Sequence, residues 1–128
     1  MKRVALVTGG SRGIGRAIAE ALAREGVAVA IAARSRDQVE ETARALRADG
    51  AEAMALALDV GDAEAAALAV NAIAATLGPV DVLVNNAGIA ESAPLARTDP
   101  ELWERHFRTN ATGPYLLARA VVPGMVER

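Results

Sequence analysis

An α/β fold built on a doubly wound parallel sheet is what this sequence predicts. Three observations carry the expectation. Short apolar runs alternate with segments whose apolar residues recur at helical spacing, as in the run 4–7 followed by Ile14, Ala17, Ile18, Ala21 and Leu22. Parallel strands joined by right-handed helical crossovers read this way. The first strand candidate is apolar at consecutive rather than alternate positions, so it expects cover on both faces. Hydrophobic residues make up 52% of the chain and aromatics only 2%, so the layers must be packed with Ala, Val, Leu and Ile.

Taken in order, residues 4–7 are the first strand. The helix after it ends near Glu25-Gly26, with Ile14, Ala17, Ile18, Ala21 and Leu22 on one apolar face. Residues 27–32 read as the second strand. Ser35-Arg36-Asp37-Gln38 has the form of a capping box, opening a helix through Leu46 that Gly50 stops. A third strand is expected over 54–58, although alanine is a poor strand former. Asp62 starts an alanine-rich helix to Leu77, ended by Gly78-Pro79, and 80–84 is the fourth strand. After a loop, Thr98-Asp99-Pro100-Glu101 opens a last helix, with Pro100 tolerated in its first turn. No internal repeat or linker interrupts the series.

Composition excludes several classes. At 128 residues the chain is one domain at most, and its net charge of −2 gives no reason to expect nucleic acid or an anionic membrane as partner. With no cysteine, disulfides, thiolate metal sites and cysteine nucleophiles are ruled out. No pair of carboxylates or histidines suggests a metal site. Met1-Lys2-Arg3 has the charge of a signal peptide, but the apolar run behind it is too short and meets glycines. No segment approaches a membrane span, and a cytoplasmic setting is expected.

The most informative stretch joins the first strand to the first helix: Thr8-Gly9-Gly10-Ser11-Arg12-Gly13-Ile14-Gly15. Strand, glycine turn and helix start direct unpaired backbone N–H groups and the positive end of the helix dipole at one spot, where an anion is favoured. Gly9 is suited to turning the chain out of the strand with φ > 0. Gly13 lets backbone approach a phosphate, and Gly15 lets the helix pack close to the strand.

The spacing T-G-x-x-x-G-x-G resembles the short-chain dehydrogenase/reductase family, a nicotinamide-dependent branch of the Rossmann folds. A second and independent hallmark, Asn85-Asn86-Ala87-Gly88, follows the fourth strand, and the resemblance covers the chain from Val4 to about Met125. It implies a Rossmann-type sheet with strand order 3-2-1-4, residues 1–128 being the N-terminal dinucleotide-binding part of one domain. It also implies that Gly9, Gly10, Ser11, Arg12, Gly13, Ile14 and Gly15 form the cofactor turn. The amides of Asn85 and Asn86 can bond backbone across neighbouring loops and face the ribose, while the small Ala87 and Gly88 leave room for the nucleotide. In the family a pair matching Asp59-Val60 sits by the adenine; alone, an Asp at a strand end is more often a cap.

Cofactor choice is read from the end of the second strand. The acidic residue that would accept from the ribose diol of NAD is replaced by Ala33, with Arg34 next. An acid repels a 2′-phosphate, whereas arginine grips it with parallel charge-assisted bonds. Arg12 and Arg34 therefore favour NADP(H) over NAD(H); Arg36 is an alternative grip, and the plainer reading of Arg34 is a solvated residue.

Asn110 matches the family's helix-borne asparagine, and its role as a catalytic residue is implied by that match. Pro114 removes a helix N–H and clashes with the Asn110 carbonyl, which must find another partner, commonly water. The resemblance implies that this water belongs to a proton relay; the plainer reading is a proline-kinked helix. The serine, tyrosine and lysine on which the family's catalysis depends are not matched here. Tyr115 is the single tyrosine and Lys2 the single lysine. Tyr115 lies five residues past Asn110, and Arg119 cannot give up a proton as a lysine does, so Tyr115 reads as a packing or interface aromatic. His106 reads as a solvated helix residue. Trp103 and Phe107 read as a hydrophobic pair suited to a subunit contact.

A strand Val82-Leu83-Val84 left at the sheet edge lacks charge or kink to protect it. The expectation is therefore an N-terminal half of a longer enzyme, a homo-oligomer (tetramer or dimer), acting on a small carbonyl or alcohol substrate with NADP(H). The turn leans toward 3-oxoacyl reductases. The competing expectation is a non-catalytic NADP(H)-binding or self-associating module. An S-adenosylmethionine methyltransferase would want an acid near position 33, and a P-loop would need Gly-Lys-Ser/Thr.

Overall fold

The computed structural model describes residues 2–128. Four parallel strands, β1 (Val4–Thr8), β2 (Ala28–Ala33), β3 (Ala53–Ala57) and β4 (Val82–Val84), form one sheet in the order β3-β2-β1-β4. Five α-helices accompany them: α1 (Gly13–Arg24), α2 (Arg36–Ala48), α3 (Ala63–Thr76), α4 (Pro100–Phe107) and α5 (Gly113–Glu127). Register runs Val7↔Ile31 between β1 and β2, Ile31↔Ala55 between β2 and β3, and Val7↔Val84 between β1 and β4. This is the doubly wound sheet and strand order that the sequence predicts.

Side chains of the two central strands leave alternately for two cores, as the pleat requires. Leu6, Ala28, Ala30 and Ala32 meet Ala66, Ala69 and Ile73 of α3 with Leu117 and Val121 of α5. On the opposite face Val7, Val29 and Ile31 meet Ala19 of α1 with Val39, Ala43 and Leu46 of α2. Burial on both faces explains the continuous apolar runs.

Local chemistry sets most element boundaries. Ser35 caps α2 by accepting from the Gln38 N–H (3.4 Å), Asp62 caps α3 at Ala65 (3.0 Å), and Asp99 caps α4 at Leu102 (2.8 Å). Gly50 and Gly78, with φ of +92° and +119°, end α2 and α3 in the left-handed region. The capping box at α2 is only half formed, because the Gln38 side chain turns away to accept from the Ser11 hydroxyl at 3.5 Å.

Four expectations need correction. Strands β2 and β3 lie one residue from their predicted limits, and β4 starts at Val82 rather than at 80, because Asp81 is used differently. Its carboxylate accepts from the Val4 N–H at 2.9 Å, pinning the start of β1. The inner face of α1 is rotated: Ile14, Ala17 and Ala21 are exposed, while Gly15 and Ala19 are buried. A close approach of Gly15 to the Gly9 carbonyl sets that rotation and leaves Ile14 75% exposed over the sheet edge. Finally, the single last helix is two helices. Residues Arg108–Thr112 widen into a π turn between α4 and α5, in which the Gly113 N–H reaches back five residues to the Arg108 carbonyl. The physical cause lies at Pro114, which has no N–H to give the carbonyl of Asn110.

Among the described residues no helix is long and apolar enough to cross a membrane, and no cluster of three metal-ligating side chains occurs.

Candidate functional site

A cleft of about 440 Å³ opens at the carboxyl ends of the strands, where β1 lies between β2 and β4. Ligands of open parallel sheets bind at this edge. Of the sequence-predicted site residues, Gly9, Ser11, Arg12, Gly13, Ile14, Arg34, Asp59, Val60, Asn86, Ala87 and Gly88 line it. Gly10, Gly15 and Asn110 are not part of the lining.

The glycine turn has a separate steric reason at each key position. Gly9 and Gly13 hold φ of +62° and +58°, which L side chains rarely adopt. A Cβ on Gly15 would collide with the carbonyl of Gly9 and the amide of Asn86. At Gly10, a Cβ would strike the Ile31 side chain at 2.5 Å, so this glycine serves packing behind the cleft.

The turn delivers α1 with its first N–H groups uncapped. Arg12 occupies the N-cap position in extended conformation and makes no side-chain cap bond, whereas α2, α3 and α4 each begin on a side-chain cap. Backbone donors and the helix dipole therefore remain for an anion. Arg12 and Arg34 are both exposed on the cleft, and among the described residues neither pairs with a carboxylate. The electrostatics of this rim are cationic.

Thr8, to which sequence reasoning assigned no role of its own, holds two loops together. Its buried hydroxyl donates to the Val84 carbonyl (3.3 Å) and accepts from the N–H groups of Asn86 (3.0 Å) and Ala87 (2.9 Å). One donor and two lone pairs are thus all used. Asn86 adds an amide bond to the Gly9 carbonyl at 3.2 Å, so the turn after β1 and the loop after β4 form one rim. Asp59 accepts from the Gly61 N–H at 3.0 Å through one oxygen, which holds the strand-end turn. Gln38, Ser35, Ile89 and Thr109 also line the cleft without having been singled out for it. A signal for Gln38 and Ser35 was present in the capping box that follows β2.

The π turn sets the far wall. Asn110 accepts from the Ile89 N–H and donates to the Ile89 carbonyl, both at 2.9 Å. Its side chain is committed to the loop. The expectation that His106 is a solvated residue is wrong. His106 is half-buried, with Nδ1 2.8 Å from the Leu102 carbonyl and Nε2 3.0 Å from the Glu91 nitrogen. The long-range partner, fifteen residues earlier, is what local spacing could not reveal. Tyr115 is exposed and off the cleft lining, and Lys2 is engaged with Glu52 at 3.1 Å.

The fold and the rim together define an α/β unit of the Rossmann class. The chain belongs to the short chain dehydrogenase family, whose model matches residues 3–128. It is 43% identical over 128 residues to a short chain dehydrogenase of Pseudocercospora fijiensis, covering 98% of this chain and 41% of that one. It is 41% identical over 128 residues to an acetoacetyl-CoA reductase of Shinella zoogloeoides, covering 100% and 52%. Among solved structures, a metagenomic short-chain oxidoreductase in complex with NADP superposes with a TM-score of 0.93 at 40% identity, covering 98% of this chain and 57% of that one. The L-sorbose reductase of Gluconobacter frateurii, complexed with NADPH and L-sorbose, gives 0.94 at 36% identity, covering 99% and 49%. The chain spans about half the length, or less, of the curated relatives it matches first.

Proposed function

We propose that this chain is the NADP(H)-binding half of an oxidoreductase that moves a hydride between nicotinamide and a small carbonyl or alcohol substrate. The observation that carries the reading is the uncapped start of α1, opening on the cleft between the unpaired guanidinium groups of Arg12 and Arg34. A doubly anionic nucleotide matches that arrangement. The open space where a Cβ would stand on Gly13 is room for a phosphate against bare backbone.

The bound cofactor supplies the hydride. The chain's own residues do the rest. Gly9, Gly10, Ser11, Gly13, Ile14 and Gly15 shape the turn that presents the α1 N–H groups to the pyrophosphate. Arg12 and Arg34 hold the 2′-phosphate by charge-assisted bonds. Asp59 offers its second oxygen to the adenine amine beside Val60, and Asn86, Ala87 and Gly88 border the ribose. Asn110 would contribute its main-chain carbonyl, to which Pro114 has no N–H to give, to holding a water in the proton path. The acid that donates to the substrate comes from outside these residues, in accord with relatives about twice as long.

The homo-oligomer is part of the same proposal and is supported on α4. There Trp103 and Phe107 stack with ring centroids 4.9 Å apart while 58% and 52% exposed. A cytoplasmic setting accords with a fold that uses no disulfide. The second reading is a module that binds NADP(H) without chemistry.

Fluorescence titration of the full-length protein with NADPH and NADH tests the proposal. NADPH binds more tightly; equal affinities would refute the role of the two arginines. Ketone reduction by that protein separates the enzyme from the silent module.

A further inference from the structure

We propose that His106 is a positioning residue for the outer lip of the cleft, the loop that leaves β4. This inference rests on the reading of the cleft as a nucleotide site for its effect on binding, but its geometry stands independently. The lip carries Ile89, which lines the cleft. Its backbone is held at alternate residues by one helical run. Asn110 takes both the N–H and the carbonyl of Ile89, and His106, four residues earlier, takes the N–H of Glu91. Anchors at two alternate positions of the loop define its rotation as well as its distance, so Ile89 is oriented rather than merely tethered.

The imidazole suits this task in one tautomer only. Nδ1 faces the Leu102 carbonyl at 2.8 Å and must carry the proton; Nε2 then offers a lone pair to the Glu91 N–H at 3.0 Å. The bond back to its own helix thus selects the form that receives the loop. A second link joins the same two segments, since Arg105 Nη2 lies 3.1 Å from both carboxylate oxygens of Glu91. That pair is largely solvent-exposed, and Arg105 Nε is left buried without a partner. Solvent screening weakens such a bridge. The histidine bond comes from a half-buried ring that its own helix orients and is directed at backbone, so it is the anchor that holds direction.

Hydrogen exchange read by mass spectrometry, together with NADPH titration, tests the assignment in the full-length protein. His106→Phe keeps the ring and removes the acceptor. Exchange at the amides of residues 89–91 rises about tenfold while peptides from β1 and β2 keep wild-type protection. NADPH affinity falls about threefold to tenfold. His106→Gln, whose side-chain oxygen reaches the place of Nε2, restores both. The proposal is overturned if His106→Phe leaves the lip protected, if exchange rises evenly through the fold, or if His106→Gln behaves as His106→Phe does. Should His106→Phe fail to fold, His106→Leu removes the acceptor instead, leaves the Glu91 amide and carboxylate in place, and is read in the same way. Wild-type protein that binds no NADPH sinks the nucleotide reading alone, since the exchange arm still decides the lip.

Discussion

The Thr8 hydroxyl accepts the Asn86 N–H at 3.0 Å, and the Asn86 side chain donates to the Gly9 carbonyl at 3.2 Å. Two segments more than seventy residues apart are thereby closed into one rim of the cleft. Neither loop needs regular secondary structure to be rigid, because its polar groups are spent on the other.

Thr8→Val is the cleanest probe of this closure, being nearly isosteric while leaving the Ala87 N–H unpaired and the Asn86 N–H with the Val84 carbonyl (3.0 Å) alone. A loss of about 1–3 kcal/mol in unfolding free energy is expected, with weaker NADPH binding. Thr8→Ser keeps the hydroxyl and stays close to wild type. Urea denaturation of the two variants checks the difference; equal midpoints would remove Thr8 from the account.

Gly15→Ala places a methyl against the Gly9 carbonyl and the Asn86 amide, both backed by bonded structure. The turn must shift, and NADPH affinity drops by about tenfold or more. Gly26→Ala is the control on the far side of α1, since a Cβ there meets nothing within 4 Å, though its φ of +81° still brings strain. Calorimetric titration of both variants separates loss of the cleft from a general loss of stability.

Arg34→Ala removes one of two unpaired cations on the rim. The expected result is about tenfold weaker binding of NADPH with NADH unchanged, so that the preference between them shrinks. Raising ionic strength reduces the wild-type preference in the same direction. A variant that weakens both nucleotides alike would show a role in shaping the loop instead.

Asn110→Asp keeps the acceptor for the Ile89 N–H but turns a carboxylate oxygen toward the Ile89 carbonyl. Two acceptors then oppose each other, which favours the protonated form in the folded state. The sign follows: the folded chain binds that proton more tightly than the unfolded chain does, so stability is lost as pH rises and regained on acidification. Melting temperatures of Asn110→Asp against Asn110→Ala across the acid range check this. Parallel curves would mean that the amide bonds to Ile89 do not bear on stability.

Much of this molecule is legible along the chain because its elements are specified locally. Capping by Ser35, Asp62 and Asp99 and the stops at Gly50 and Gly78 each act within a few residues, and the spacing of Gly9, Gly13 and Gly15 displays a steric need. The inner face of α1 is not specified locally. With alanine at 17, 19, 21 and 23 the apolar pattern permits several rotations, and the Gly15–Gly9 contact selects one. His106 and Thr8 were read short because their partners lie far along the sequence.

By itself, then, the sequence determined the α/β class, the order of strands and helices, the glycine turn with its cationic neighbours, and the family that these identify. Only tertiary structure decided which face of α1 is buried, that a π turn divides the final helical segment, and that Thr8, Asn110 and His106 spend their polar groups on loops. The physical reason is range. Helix caps, turns and periodicity are contests among neighbours, while a hydrogen bond across tens of residues exists only once the sheet has brought its ends together.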